Sequence, residues 1–158
     1  MLALAAGSVY AACKLMGTLR LFREIGGASK VKKKELWRSC KIIVRKLGLK
    51  VPLEEPSAYV GRIAEALFLF KAVERKALAI LEEVKGRRLL IGRIPQTVAA
   101  AAVYLAARLV VESVSQSEVA KAAQVTEVTV RNCMRVLERS LGIQGRQRLK
   151  SVSQQASS

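Results

Sequence analysis

The sequence predicts an all-α chain built from two unequal copies of one helical unit. Alanine, valine, leucine and isoleucine dominate an apolar fraction of 51%, whereas aromatic residues make up 4% and prolines number three. This composition favours helices over strands. When the chain is shifted by 94 positions, its beginning matches its end without a gap over about forty positions. Such an internal match indicates a repeated helical unit.

The repeat is clearest where Val9–Leu15 lies over Val103–Leu109, and it closes where Leu47–Gly48 lies over Leu141–Gly142. The region from about 57 to 93 has no counterpart before the first copy. We therefore expect three segments: the C-terminal part of a first repeat over 1–52, a complete second repeat over 53–143, and a flexible basic tail over 144–158.

In the second repeat, three stretches predict its first three helices. They are Ala58–Leu69, Glu74–Lys85 and Pro95 to about Val111, the last with proline in the first turn. The third is apolar nearly all round, which is typical of a central, buried helix. The second is expected to direct these side chains inward: Ala77, Leu78, Ile80, Leu81 and Val84.

Two shorter helices follow. Ser115 and Glu118 form a capping-box pattern that opens a helix to about Ala123, and Thr126 is a good N-cap for a last helix that ends near Leu141. Two helices joined by so tight a turn have the layout of a helix-turn-helix over 115–141, although helical bundles also contain short turns.

The face of the last helix opposite its apolar stripe mixes apolar and charged residues: Glu127, Val128, Arg131, Asn132 and Arg135. A DNA major groove accepts such a mixture, because arginine pairs with guanine and an apolar group contacts a thymine methyl. A plain solvated helix face is the alternative interpretation.

Charge points to a polyanionic partner. Lysine and arginine number 28 against 12 acidic residues, a formal net charge of +16, and residues 1–50 alone hold 12 basic and 2 acidic side chains. Nucleic acid is the first expected partner and an anionic membrane the second.

Several classes of protein are not expected. Cys13, Cys40 and Cys133 are far apart and the chain has no histidine, which argues against a zinc site, a disulfide framework and acid-base catalysis. No glycine-rich phosphate loop precedes a helix, so we expect no enzyme, cofactor or small-molecule substrate. The apolar start, Met1–Met16, lacks the basic region of a signal peptide and is too short to span a bilayer.

Three segments carry a specific family resemblance. Gly92–Leu109 resembles the central helix of the second cyclin-like repeat of archaeal transcription factor B. Glu118–Ala120 followed by Val125–Asn132 resembles the helix-turn-helix of the same family. Lys32–Leu36 and Leu47–Pro52 look like the close of its first repeat. The resemblance extends to about Ile143.

The resemblance implies a five-helix cyclin-like repeat, complete in the second copy and partial in the first. It also implies a transcription initiation factor that binds double-stranded promoter DNA together with TATA-binding protein and reads the B-recognition element. RNA polymerase is a further partner of the full-length family. The expected location is the archaeal cytoplasm, in association with the nucleoid.

Site residues follow from the same resemblance. Val128 and Arg131 match the main base-contacting positions of the family's recognition helix. Further base or phosphate contacts are expected from Gln116, Thr126, Thr129, Asn132 and Arg135. Lys30, Lys32, Lys33 and Lys34 are expected near the DNA backbone and TATA-binding protein, with a solvated loop as the alternative.

The sequence departs from the family pattern in its first repeat. It shows no zinc ribbon or linker, and it lacks the first two helices of that repeat, so Leu2, Leu4 and Val9 are expected to be exposed. Leu21 stands at the capping position that Ser115 occupies, and Gly26–Gly27 is expected to interrupt the following helix. Each of these changes costs on the order of 1 kcal/mol, as does Ile94 in place of a polar cap.

Two other interpretations of the chain remain open. A cyclin-like interaction module or a shortened paralogue could bind TATA-binding protein without reading DNA or recruiting polymerase. A truncated gene product or excised fragment could self-associate through its exposed core.

Overall fold

A computed structural model describes residues 1–52 and 54–143, and the described residues form eight α-helices and no strand. The all-α prediction is confirmed. The chain divides between Glu54 and Glu55 into two compact units, here called unit 1 and unit 2. No helix in the described residues is long and apolar enough to cross a membrane.

Unit 1 contains helices α1 (Leu2–Leu15), α2 (Phe22–Ser29) and α3 (Lys33–Lys46). Helix α1 packs along α3, and α2 packs against both. The contact between α1 and α3 is close at Gly7, where an added Cβ would lie 3.0 Å from the Cys40 backbone nitrogen. Glycine at this position therefore sets the distance between the two helices.

Unit 2 contains five helices around one central helix. They are α4 (Ser57–Ala66), α5 (Lys71–Val84), α6 (Pro95–Val110), α7 (Gln116–Ala122) and α8 (Glu127–Ser140), with a short 3-10 turn at Arg88–Leu90. Helices α4, α5, α7 and α8 all pack on α6. Residues 97–107 of α6 are buried except for the half-buried Tyr104. The prediction of a central, buried third helix is confirmed.

The two units repeat the same three-helix plan. Helices α3 and α8 start and end at positions 94 apart, and α2 and α7 both begin at equivalent residues, Phe22 and Gln116. The left-handed backbone positions recur at the same offset: Gly17 and Val111, Lys30 and Gln124, Gly48 and Gly142.

Several local predictions are wrong. The first helix of unit 2 ends at Ala66 rather than Leu69, because Phe68 adopts a left-handed φ of 53°. Helix α5 begins at Lys71 rather than Glu74. The amide of its N-cap residue, Phe70, donates a hydrogen bond to the Glu112 carboxylate at 3.4 Å. Leu78 was expected to face inward but is exposed.

In unit 1, Gly26–Gly27 does not interrupt α2, which is continuous from Phe22 to Ser29. The exposure expected for Leu2, Leu4 and Val9 is confirmed. The tail expected over 144–158 lies outside the described residues.

Candidate nucleic-acid interface

Helix α7 begins with a complete capping box. The Ser115 hydroxyl accepts a hydrogen bond from the Glu118 amide at 3.2 Å, and a Glu118 carboxylate oxygen accepts from the Ser115 amide at 2.7 Å. The hydrogen bonds from the Ser115 amide and hydroxyl hold the pKa of Glu118 below its ordinary value. The start of α7 is therefore well defined, and with it the position of Gln116.

The turn between α7 and α8 is short and ends in a second cap. Gln124 occupies the left-handed region at φ 55°, which reverses the chain after α7. The Thr126 hydroxyl then accepts from the Thr129 amide at 3.3 Å and lies 2.5 Å from the Thr129 hydroxyl. These two threonines, both predicted to contact DNA, have their hydroxyls engaged with each other at the N-terminus of α8.

The inward face of α8 holds this helix on α6. The sequence places Val130, Cys133, Met134, Leu137 and Leu141 on one apolar stripe. The first four are buried, whereas Leu141, the C-cap residue, is half-buried. Burial raises the pKa of the Cys133 thiol to about 11, so this cysteine is a neutral core residue. An ion pair between Arg108 and Glu138, 3.3 Å apart, adds a polar contact between α6 and α8.

The opposite face of α8 is open to solvent. Val128 is 60% exposed, and Arg131, Asn132 and Arg135 are exposed beside it. The spacing of 128, 131, 132 and 135 places these four side chains on one side of the first turns of the helix. The structure therefore brings the predicted residues of α8 together on one surface.

Gln116 joins this surface through a direct contact. Its side-chain oxygen accepts a hydrogen bond from Nε of Arg131 at 3.2 Å. Because the Gln116 amide oxygen engages Nε, the two terminal nitrogens of the guanidinium remain available for a bidentate contact. Sequence reasoning named both residues but missed their contact, since it depends on the distance between α7 and α8.

The predicted lysines of unit 1 lie around the start of α3. Lys30 is the left-handed C-cap of α2, Lys32 is the N-cap residue of α3, and Lys33 and Lys34 follow in its first turn. All four are exposed. Cations at a helix N-terminus oppose the helix dipole. These lysines therefore do not stabilise α3 through the helix dipole.

A metal site is not formed in the described part of the chain. Among residues 1–52 and 54–143, no three histidine, cysteine or acidic side chains come together as potential ligands.

Comparison with known proteins gives one consistent family. The family model for the transcription factor TFIIB repeat matches residues 49–140. Proteins named transcription initiation factor IIB are similar over most of the chain. Those of Pyrodictium occultum and Archaeoglobus fulgidus are 44% and 43% identical over 140 and 139 residues, which is 89% and 88% of this chain. That of Pyrococcus horikoshii is 44% identical over 140 residues, or 87% of the chain.

The chain spans less than half the length of these relatives, between 43% and 47% of each. None of the three carries the name of an enzyme, in agreement with the expectation from the sequence.

Proposed function

The chain belongs to the transcription factor TFIIB repeat family, and from this premise we propose that it is a transcription initiation module that binds promoter DNA with TATA-binding protein. In this proposal the surface formed by α7 and α8 enters the major groove and reads the B-recognition element. Helix α8 acts as the recognition helix.

The exposed face of α8 is the observation that carries the proposal. Val128 offers an apolar contact for a thymine methyl, while Arg131 offers two terminal nitrogens to a guanine. Asn132 can pair with an adenine, and Arg135 lies one turn further, where it can contact a phosphate. The hydrogen bond from Arg131 to Gln116 supports a defined orientation of the guanidinium on this face.

Unit 1 supplies the sequence-independent part of the proposed interface. Lys30, Lys32, Lys33 and Lys34 form an exposed cationic group around the start of α3. Such a group can contact DNA phosphates or an acidic surface of TATA-binding protein, and its contribution falls with increasing salt.

A gel-shift experiment tests this function. The chain is added to a TATA-containing promoter with and without TATA-binding protein, on probes whose upstream element is intact or scrambled. We expect a ternary complex that scrambling weakens by about 1–3 kcal/mol. Arg131→Ala should weaken binding to the intact probe by a similar amount and have little further effect on the scrambled probe.

Arg75→Ala is the matched control. Arg75 is an exposed arginine on α5, which packs against α4 and α6, so its removal changes net charge equally without touching α8. A complex that forms but is indifferent to both scrambling and Arg131→Ala would refute base readout. It would favour an interaction module that binds TATA-binding protein alone.

A further inference from the structure

A cleft of about 810 Å³ opens on unit 1, on the surface of α1, α2 and α3. All three aromatic residues of unit 1 line it: Tyr10, Phe22 and Trp37. Tyr10 and Phe22 form an edge-to-face pair with ring centroids 4.8 Å apart. In a chain with 4% aromatic residues, this is a strong local concentration.

The wall of the cleft that α3 provides is cationic. Lys34, Arg38, Lys41 and Arg45 all line it, and their spacing of four, three and four residues puts them in one row along the helix. The row extends about 16 Å at the rise of an α-helix. No carboxylate lines the cleft, and none of the four cations forms an ion pair within the described residues.

Trp37 is the most exposed of the three rings that line the cleft. It is 55% exposed, and Nζ of Lys41 lies 4.1 Å from the ring centroid on one face of the indole. This cation-π contact fixes the indole ring beside the cations. Because it is exposed, the Trp37 side chain contributes little to the core of unit 1, which contains the buried Leu21 and Leu36.

The cleft occupies the position in unit 1 that the α7–α8 surface occupies in unit 2. At the offset of 94, Phe22 corresponds to Gln116 and Trp37 corresponds to Arg131. Two side chains that can read base edges are thus replaced by two rings that can stack. Lys34 likewise replaces Val128, which exchanges an apolar contact for a cation.

We infer that this cleft binds single-stranded nucleic acid, with bases stacked on Trp37 and phosphates along the cationic row of α3. Aromatic rings beside a positive groove are the general means of binding unpaired strands, because every base has a face that can stack. A duplex offers its phosphates but not its base faces. An acidic peptide would satisfy the cations but would leave the rings without a partner of matching shape.

The test uses the emission of Trp37, the single tryptophan of the chain. The full chain is titrated with a twelve-nucleotide oligothymidylate, with a duplex of the same length, and with poly-glutamate. The single strand should quench the emission at low salt. The duplex, which can reach Lys34 through its phosphates, should quench it only at a higher concentration, and poly-glutamate should leave it largely unchanged. A duplex midpoint equal to that of the single strand would overturn the inference. Quenching by poly-glutamate with an equal midpoint would overturn the inference and assign the cleft to acidic peptides.

Variants locate the contact, measured by anisotropy of a labelled oligothymidylate. Trp37→Leu should weaken binding about 5- to 150-fold, as expected for the loss of one stacked base. The double variant Arg38→Gln, Lys41→Gln should reduce the slope of log affinity against log salt by about 1.4. Circular dichroism checks that each variant remains helical.

The matched control is Lys46→Gln, Lys50→Gln, which removes the same charge from exposed residues that do not line the cleft. It should bind the strand more tightly than the Arg38, Lys41 variant does. Equal losses in the two double variants, or binding unaffected by Trp37→Leu, would show attraction by net charge alone and overturn the inference. The outcome is independent of the duplex function proposed for α8, which Arg131→Ala reports separately.

Discussion

Helices α1–α3 of unit 1 and helices α6–α8 of unit 2 share a backbone plan but not a mode of stabilisation. Their helix ends and left-handed positions fall at the same offset. The central helices differ most: Val9 of α1 is 54% exposed, whereas the equivalent Val103 of α6 is fully buried. Helices α4 and α5 pack on α6, and no equivalent helices are described for α1. The plan is thus set by local turns and caps, while the stability of the central helix depends on the helices that cover it.

The largest expected effect comes from the same substitution made in both central helices. Val103→Ala should reduce the stability of unit 2 by about 2–3 kcal/mol, because it removes two methyl groups from a packed core and leaves a cavity. Val9→Ala should change the stability of unit 1 by less than about 0.5 kcal/mol, since the side chain is already in water. Native-state hydrogen exchange on the peptides of α1 and α6 measures the two effects separately.

Equal losses for the two valines would contradict this comparison. They would mean that something covers α1 in solution, most simply a second copy of the chain. Repeating the Val9→Ala measurement over a range of protein concentrations identifies that case, because self-association makes stability depend on concentration.

Much of this plan could be predicted from the sequence. The ungapped match at an offset of 94 residues located the equivalent helices, and the apolar residues on nearly every side of Pro95–Val110 identified the central helix. The ends of α4 and α5 could not be predicted, because they depend on the left-handed Phe68 and on a contact between Phe70 and Glu112. A bond between residues 42 positions apart leaves no local signal.

The second comparison concerns the residue before α2 and α7. Leu21 was expected only to lose a cap, but its side chain is 3% exposed and forms part of the core of unit 1. Leu21→Ser should therefore destabilise α2 by about 0.5–2 kcal/mol, because lost burial of about 1.5–3 kcal/mol outweighs a cap of about 1 kcal/mol. Ser115→Leu should destabilise α7 by about 1 kcal/mol, since Ser115 is exposed and the new side chain gains no burial.

Hydrogen exchange of the first amides of α2 and α7 measures both changes. Stabilisation of α2 by Leu21→Ser would show that the cap, and not the buried side chain, limits this helix. The Glu24 carboxylate accepts a hydrogen bond from the Leu21 amide at 3.1 Å. This half of the capping arrangement uses the backbone, so it is present with leucine or serine at position 21.

A third prediction contrasts two glycines within unit 1. Gly7→Ala should destabilise the packing of α1 on α3 by about 1 kcal/mol. The new Cβ would lie 3.0 Å from backbone and side-chain atoms of α3, and the cost of this overlap outweighs the gain in helix propensity. Gly27→Ala, where no atom lies within 4 Å of the new Cβ, should stabilise α2 by about 0.5–1 kcal/mol. Thermal unfolding followed by circular dichroism compares the two variants, and stabilisation by both would mean that α1 and α3 can move apart without loss.

The candidate surface was less predictable than the fold. Exposure of Val128, Arg131, Asn132 and Arg135 followed from helical spacing, because positions opposite an apolar stripe face outward. Their partners did not: the contact of Gln116 with Arg131 requires the crossing of two helices. The aromatic cleft of unit 1 does have a signal in the sequence, since the offset of 94 places Phe22 and Trp37 over these same two residues.

The smallest expected effect is the pH dependence of the α7 cap. The equivalent cap of α2 is incomplete, because Leu21 has no hydroxyl and only the Glu24 carboxylate takes part, by accepting a hydrogen bond from the Leu21 amide. The Glu118 carboxylate accepts the Ser115 amide and hydroxyl, which lowers its pKa in the folded chain. A lowered folded pKa adds stability at pH values above the ordinary value of about 4.3, and that stability is lost as the pH falls through the folded pKa. The first amides of α7 should therefore lose protection as the pH falls below the ordinary pKa of a glutamate and through the lowered pKa of Glu118, as measured by NMR together with the carboxyl titration of Glu118. Ser115→Ala should move that titration upward, and Glu118→Gln should remove the pH dependence of these amides.

If the wild-type amides instead keep their protection at low pH, the carboxylate is not what holds the start of α7, and the Ser115 hydroxyl alone accounts for the difference from α2.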